Sequence, residues 1–430
     1  MTHVRSLVLL ILLVGSGPSL AEDFSFAESN ALIASIAGTP EAQRPDFSAL
    51  PEVRQRDLHV RPLPERELPY FMRELNSLSV RLAWQDEAAP LVFLIAGTGS
   101  RFDTPRLETL KTALWHAGMH VILLSSPTNY DFIAAASEHG RPGLGPEDAK
   151  DLHRVMRLAV EQAEQSTGLT ITDFRLAGFS LGAMNAAYVQ QWDQQHGQLF
   201  DFQRVLLLHP PVDLLTSIRR LDGMARVRLD NLDGDDSFFE HVFEKLVAYY
   251  ADGGGTDIGT GLFYEFQASK NALTDAELAL LVGAVFRFSA ADITYMSDLI
   301  AGQGMFAPSM DGLNASTSLT PYLRRALQCD FGCYIDNLLW PWWQQRHPDS
   351  SFEQMTALSD LRSLSAELED PRFGVMTSAD DFILSGEDYD FLRDTFGNRG
   401  QFYPRGGHGG ILDHAEVVDW VVDFLQETAP

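Results

Sequence analysis

The stretch RLAGFSLGAMNA, from Arg175 to Ala186, holds the decisive pattern of the chain. Ser180 has a glycine two residues before it, Gly178, and another two residues after it, Gly182. Apolar residues lead in as in a buried strand, and helix formers follow. A serine exposed on a sharp strand-to-helix turn needs such glycines, because side chains there would meet the neighbouring backbone. The pattern predicts a nucleophilic serine with the N–H of Leu181 facing a developing oxyanion, and an ordinary turn serine is the alternative.

Strands and helices alternate on both sides of this turn. Short apolar runs at Pro90–Gly97, His120–Ser125 and Arg204–Pro211 are typical of strands buried on both faces. Helix start and stop signals bound Thr104–Gly118, and Gly145–Glu164 is amphipathic with acids in its first turn. This alternation predicts an α/β fold with a mostly parallel central sheet and helices on both faces.

The alternation stops near residue 221 and resumes near residue 372, which indicates an insertion. The stretch between is mainly helical, and Thr274 with Glu277 forms a capping box at one helix start. The predicted organisation is a signal peptide at 1–21, a lead-in at 22–69, a first core part at 70–221, a helical cap at 222–364 and a second core part at 365–430.

With its G-x-S-x-G turn in this context, the chain resembles the α/β-hydrolase superfamily over about 70–221 and 364–426. The resemblance implies a catalytic serine, acid and histidine in that chain order. It identifies His408, in YPRGGHGG before the last helix, as the histidine. His414, at the start of that helix, is a weaker candidate.

The resemblance also implies an acid after the preceding strand, in VMTSADDFIL. Against the strand–G-x-x-D pattern of the superfamily, Ser378 stands at the glycine position and Asp381 at the acid position. Asp381 is therefore preferred, and Asp380 is the alternative. The second oxyanion donor is expected at Thr98 in AGTGSRFD, where Ala96 replaces the histidine of the His-Gly-x pattern that the superfamily often has.

The cap is expected to lie over the active site and to select the substrate, as caps of this superfamily commonly do. Its aromatic residues are candidates for an acyl-binding groove or a lipid-facing surface: Trp340, Trp342, Trp343, Phe238 and Phe239. Ordinary packing inside the cap is the alternative, because large aromatic residues are mostly buried.

Composition limits the partners of the chain. Its 430 residues carry a formal net charge of −27, which argues against nucleic-acid binding and against docking on an anionic bilayer by charge. The sequence has no H-E-x-x-H and no Walker loop. The acidic run Asp230–Asp236 lacks the spacing and closing glutamate of an EF-hand, and the glycine-rich run Gly253–Gly261 is expected to be a connection. No cofactor and no metal are predicted.

The N-terminus has the outline of a secretory signal peptide. Arg5 is followed by the apolar run Leu7–Val14, and Ser19 and Ala21 are small residues before a cleavage site. Export to a periplasm or to the outside is therefore expected, with an N-terminal membrane anchor as the alternative. In such a compartment the two cysteines, Cys329 and Cys333, are expected to form a disulfide rather than remain free.

Together these features predict an exported serine hydrolase that cleaves a small-molecule or lipid-like carboxylic ester through an acyl-enzyme. Lipid contact through the cap is an expectation, and the oligomeric state stays open. A peptidase or amidase would use the same triad, because fold and triad do not fix the substrate. A non-enzymatic envelope protein that binds lipid or peptide is the alternative from another class.

Overall fold

A computed structural model describes residues 24–229, 235–252, 260–309, 313 and 316–427. The predicted signal peptide at 1–21 lies outside the described residues. So do 230–234 of the acidic run and 253–259 of the glycine-rich run.

The centre of the fold is one eight-stranded sheet with the order β1-β2-β4-β3-β5-β6-β7-β8. The strands are β1 (Gln55–Val60), β2 (Leu78–Ala83), β3 (Ala89–Ile95), β4 (His120–Leu124), β5 (Ile171–Phe179), β6 (Arg204–Leu208), β7 (Phe373–Ser378) and β8 (Gly400–Tyr403). Strand β2 pairs antiparallel with β1 and β4, and all other neighbours are parallel. The predicted α/β-hydrolase fold class is confirmed.

Strand β1 corrects the predicted lead-in. It pairs with β2 from Gln55 to Val60, so the sheet begins well before residue 70. Only two of its six side chains, Leu58 and Val60, are buried. A half-polar edge strand lacks the continuous apolar run that predicts a central strand, and this explains why the sequence pattern missed it.

Helices cover both faces of the sheet. In the core parts they are α1 (Ala31–Ala37), α2 (Pro105–His116), α3 (Tyr130–Ala135), α4 (Gly145–Thr167), α5 (Leu181–Gln195), α15 (Gly386–Phe396) and α16 (Ala415–Gln426). One apolar core holds α4 and α5, including Leu152 and Met184. The other holds α2 and α16, including Leu110 and Val421. Because both faces are buried, the central strands need apolar side chains in succession rather than in alternation.

The chain between β6 and β7 forms helices over its described residues. They are α6 (Leu214–Met224), α7 (Asp235–Ala251), α8 (Thr260–Gln267), α9 (Asp275–Ala301), α10 (Thr320–Leu327), α11 (Phe331–Tyr334), α12 (Trp340–Arg346), α13 (Phe352–Thr356) and α14 (Ser365–Leu368). The longest, α9, starts at the predicted capping box of Thr274 and Glu277. Cys329, which follows α10, and Cys333 in α11 are disulfide-bonded, as predicted, with their Cα atoms 5.2 Å apart. Among the described helices, none combines the length and the apolar character needed to cross a membrane.

Candidate active site

Ser180 stands on a strained turn between β5 and α5. Its backbone has φ 56° and ψ −124°, a region that residues other than glycine rarely adopt. Both flanking glycines are sterically required. A Cβ on Gly178 would overlap the carbonyl of Gly182, and a Cβ on Gly182 would overlap the carbonyls of Ile95 and Ala96. The turn therefore packs backbone against backbone, and this holds the serine side chain at the end of the strand.

The serine, the histidine and the preferred acid form one hydrogen-bonded row. Ser180 Oγ lies 2.9 Å from His408 Nε2. His408 Nδ1 lies 3.1 and 3.0 Å from the two carboxylate oxygens of Asp381. All three side chains are buried, and they follow β5, β8 and β7. Such a row is able to pass the serine proton to the imidazole while the carboxylate fixes the tautomer of the ring.

Asp380, the alternative acid, has a different position. Its carboxylate accepts hydrogen bonds from the N–H groups of Gly406 and Gly407, at 3.2 and 2.8 Å. It thus holds the loop that carries His408, and among the described residues its hydrogen bonds go to that loop and not to the imidazole. The weaker histidine candidate, His414, caps α16 and lies 3.2 Å from Ser25 Oγ, outside the row.

A second histidine, which no sequence pattern predicted, contacts the acid. His209 follows β6, is fully buried, and its Nδ1 lies 2.8 Å from Asp381 Oδ2. Its Nε2 is buried without a partner among the described residues, which fits a neutral ring that donates Nδ1–H to the carboxylate. Burial lowers the pKa of His209, in the direction of that neutral ring. The sequence HPP after a strand gave no signal for this contact, which joins residues far apart in the chain.

The charge on Asp381 is stabilised by its neighbours. Burial alone would raise its pKa, but His408 and His209 prevail and lower the pKa of Asp381 to about 2. The nitrogen and oxygen atoms with which these three side chains could coordinate a metal ion lie within 4.8 Å of one another. The Nδ1 atoms of both histidines are engaged with the carboxylate, so hydrogen bonds account for the cluster without a metal ion.

Helix α1, in the predicted lead-in, supports the histidine loop. Ser35 Oγ accepts a hydrogen bond of 2.8 Å from the His408 N–H and donates one of 2.7 Å to the Ala31 carbonyl. A Cβ on Gly407 would overlap Ala31 and Ser35, and one on Gly410 would overlap Ala34. The glycines around His408 therefore serve a close contact with α1, which the sequence pattern did not reveal.

The two predicted oxyanion donors lie beside Ser180. Leu181 is the first residue of α5, so its N–H has no acceptor inside the helix. Thr98 follows β3. Its loop is held by a hydrogen bond of 2.8 Å that the Gly99 N–H donates to Thr128 Oγ1. Thr98, Leu181 and Ser180 border one small recess with His408. Both backbone positions are thus near the place where an oxyanion would form.

Ser180 and His408 open into a cavity of about 490 Å³. One side, here called the strand wall, comprises Ser180, His408 and the loop 97–100. The opposite side, here called the helix wall, comprises Leu281, Val282, Val285, Phe286 and Ser289 of α9. Ser35, Ile36, Arg106, Phe179 and Phe382 complete the lining. The space is large enough for a small ligand, and most of its surface is apolar.

The aromatic residues that were expected to line a groove do not line this cavity. Trp343 stacks on His347 with ring centroids 3.8 Å apart, and Trp342 is buried against His139. Trp340 packs edge-on against Phe352, and Phe238 is buried. These side chains contribute to packing, because large aromatic rings gain most free energy when buried. Phe239 differs: it is exposed and lies near Phe288 of α9.

Comparisons with known proteins do not identify a family for the chain. No protein-family model and no curated protein matches it. An esterase from Pyrococcus furiosus is similar in structure, at 10% sequence identity and a TM-score of 0.43, over 88% of this chain and 94% of that one. An esterase from the fungus Rhizomucor miehei has 13% identity and a TM-score of 0.42, over 93% and 96%. An esterase from Pyrobaculum calidifontis has 15% identity and a TM-score of 0.40, over 92% and 89%. The activity must therefore be inferred from the site itself.

Proposed function

We propose that the protein is a serine hydrolase that cleaves a carboxylic ester through an acyl-enzyme. Ser180 is the nucleophile, His408 the general base and then the general acid, and Asp381 the residue that orients the imidazole. One observation carries the proposal. The hydroxyl of a strained, buried serine lies 2.9 Å from a histidine Nε2, and a carboxylate accepts a hydrogen bond from the Nδ1 of the same ring. A structural role alone gives no reason for backbone strain at this position.

The reaction follows from these contacts. Ser180 Oγ attacks the acyl carbon while His408 Nε2 takes its proton. The N–H groups of Leu181 and Thr98 stabilise the oxyanion, and one such donor is typically worth about 10²–10³ in kcat. His408 then gives the proton to the leaving alkoxide. Water, activated by the same imidazole, attacks the acyl-enzyme and releases the acid.

The apolar helix wall supports an acyl substrate. Leu281, Val282, Val285 and Phe286 offer a surface for a hydrocarbon chain without a row of hydrogen-bond donors. Peptide substrates need such donors for their backbone. An ester is therefore favoured over a peptide bond.

An exposed apolar surface, here called the rim, supports a lipid-like ester as the substrate. The rim comprises Phe239, Phe243 and Val247 on one face of α7, with Val285 and Phe288 of α9. Phe243 is 65% exposed, and Val285 belongs to both the rim and the cavity. Solvent-exposed apolar patches often mark contact surfaces, so we propose that the cap contacts lipid-like substrate here.

Export is part of the proposal. The sequence of residues 1–21 has the outline of a cleaved leader, and the Cys329–Cys333 disulfide suits an oxidising compartment. The test is fractionation of cells that express the full chain, with N-terminal sequencing of the product. An intact Met1 in the cytoplasmic fraction would overturn this part.

A panel of p-nitrophenyl esters, from acetyl to palmitoyl, tests the hydrolase activity with wild type and Ser180→Ala. We expect turnover that depends on chain length in the wild type and is lost in the variant. Saturable binding of a fluorescent fatty acid without any turnover would favour the binding-protein alternative. Turnover of peptide anilides above that of all esters would favour the amidase alternative.

A further inference from the structure

Arg106 places a positive charge in the active-site cavity. It is the second residue of α2, directly after the loop that carries Thr98. Its half-buried side chain lines the same cavity as Ser180 and His408. Among the described residues of that lining, Arg106 is the only one with a permanent charge, and none is an acid. The remaining polar groups are the His408 imidazole, hydroxyls and backbone.

Arg106 forms no salt bridge with a carboxylate within the described part of the chain, although the charge of Asp413 acts on it. The nearby acid, Asp413, is paired with Arg44 at 3.0 Å. A Cβ on Gly38 would lie 3.7, 3.8 and 3.9 Å from Arg106, Arg44 and Asp413, so two cations and one anion converge there. The group therefore has a net charge of +1, although the whole chain carries −27.

The hydrogen bonds of Arg106 leave most of its donors available. Its Nη2 donates to the Ser35 carbonyl at 2.8 Å, which ties α2 to α1. A guanidinium has five N–H donors and remains protonated in proteins. Among the described residues, the other N–H donors of Arg106 have no acceptor. A single hydrogen bond to the Ser35 carbonyl could be made by an uncharged side chain, so it does not explain the positive charge. Half-buried charges are costly unless a partner compensates them.

The chemistry of such a partner is restricted. A guanidinium matches the planar oxygens of a carboxylate or the oxygens of a phosphate with two parallel hydrogen bonds. Such an anion would accept hydrogen bonds from the remaining N–H groups of Arg106 and would neutralise the local positive charge. The apolar helix wall lies in the same cavity, so one ligand would contact both.

We propose that Arg106 binds an anionic group, carboxylate or phosphate, on the ester that this enzyme cleaves. The substrate is then an amphiphilic ester, with its apolar segment on the helix wall and its anionic group on Arg106. This inference rests on the proposed esterase function and specifies its substrate class. Arg106 contacts the substrate away from the reacting carbonyl and determines specificity.

Matched ester pairs test this assignment. Mono-p-nitrophenyl adipate and suberate differ from p-nitrophenyl hexanoate and octanoate by a terminal carboxylate in place of a methyl group. We expect wild type to prefer the anionic ester in kcat/KM by about 10- to 100-fold in at least one pair, the range for a charge-assisted contact. The long-range field of the acidic chain acts against this preference, so it must come from local contacts.

Variants separate binding from a structural role. Arg106→Met should abolish the preference in kcat/KM for the anionic over the neutral ester. Arg106→Lys should keep part of this preference, because lysine retains the charge but lacks the planar guanidinium. A purely structural role of the tether to Ser35 would lower both rates equally and leave the ratio unchanged. Arg101→Gln is the matched control, since Arg101 lies five residues earlier, pairs with Asp103 and does not line the cavity.

Competition distinguishes the two anion sources. Phenyl phosphate and benzoate are added during hydrolysis of p-nitrophenyl hexanoate by wild type and Arg106→Met. If one of these anions inhibits wild type more strongly than Arg106→Met, the result supports the site and identifies its ligand as a phosphate or a carboxylate. Efficient neutral-ester hydrolysis with neither anionic preference nor Arg106-dependent inhibition would overturn this inference alone. Absence of all ester hydrolysis by folded wild type would overturn the proposed function and this inference with it.

Discussion

The strand wall of the cavity is formed by loops at the ends of parallel strands, whereas the helix wall is formed by α9 of the insertion. On the strand wall, Ser180 and His408 are buried and held by close backbone contacts. On the helix wall, Val285 is 59% exposed. The contrast suggests a division of roles, because chemistry requires fixed distances while substrate selection requires mainly a surface of the right shape and polarity.

The largest expected effect is on the strand wall. Asp381→Asn should lower kcat for an ester by about 10⁴-fold, because the amide cannot hold the required imidazole tautomer. Asp380→Asn is the matched control one residue away. It weakens only contacts to the Gly406 and Gly407 N–H groups, and a loss of about 10-fold or less is expected. Equal losses in both variants, measured in steady-state assays, would contradict the assignment of the acid.

The backbone contacts of the nucleophile turn predict a large effect on stability. Gly182→Ala introduces a Cβ against the carbonyls of Ile95 and Ala96, and we expect it to lower the free energy of unfolding by about 3 kcal/mol or more. Gly223→Ala in α6 has open space around the new Cβ and should be neutral or stabilising by up to about 1 kcal/mol. Urea unfolding followed by circular dichroism measures both. A Gly182→Ala protein as stable as wild type would refute the packing argument.

The lowered pKa of Asp381 predicts a pH-dependent stability. Its pKa is about 2 in the fold and about 3.9 in an unfolded chain, so the folded state holds the charged form more strongly. The resulting stabilisation is complete above about pH 4 and is lost as the pH falls towards about 2. Relative to Asp381→Asn, wild type should lose about 2 kcal/mol across this interval in urea titrations. Asp390→Asn, at an exposed acid, controls for the exchange of an aspartate for an asparagine.

Removal of the second histidine should have a moderate effect. His209→Ala takes one donor from Asp381 and should lower kcat by about 10-fold, through looser orientation of the carboxylate. His209→Gln supplies an amide donor at the same place and should recover part of the loss. Single-turnover rates on p-nitrophenyl butyrate measure both variants. Loss of activity that glutamine does not rescue, with unchanged stability, would argue that His209 has a role other than positioning.

The narrowest effect, confined to long-chain esters, is expected on the helix wall. Phe286→Ala enlarges the apolar side of the cavity and should lower kcat/KM for octanoyl esters by about 10-fold, with little change for acetyl esters. Phe243→Ala, on α7 outside the cavity, is the matched aromatic control for soluble esters. Equal losses for short and long esters in Phe286→Ala would mean that α9 does more than shape the substrate site.

The sequence predicted the strand wall better than its surroundings. The glycines around Ser180 have a steric cause that the sequence shows, whereas the late histidine and the acid after β7 were predicted from the resemblance to a superfamily. No sequence pattern predicts the roles of His209 and Ser35: their contacts to Asp381 and His408 join residues 172 and 373 positions apart. The edge strand β1 is half polar, and α1 has seven residues, so neither has a strong period. The aromatic residues of the cap are typical of a substrate-binding surface in sequence, but most of them pack against neighbouring side chains.

The most direct test of the account is the site of covalent modification by a fluorophosphonate. Purified mature protein would be labelled, digested and mapped by mass spectrometry. We expect one adduct, on the peptide that contains Ser180, which forms rapidly and is lost in Ser180→Ala. Other serines, Ser35, Ser100 and Ser289, line the same cavity, and in the described part of the chain no histidine ring nitrogen is hydrogen-bonded to their hydroxyl groups. An adduct on one of these instead of Ser180, or no adduct on folded protein, would contradict the central claim.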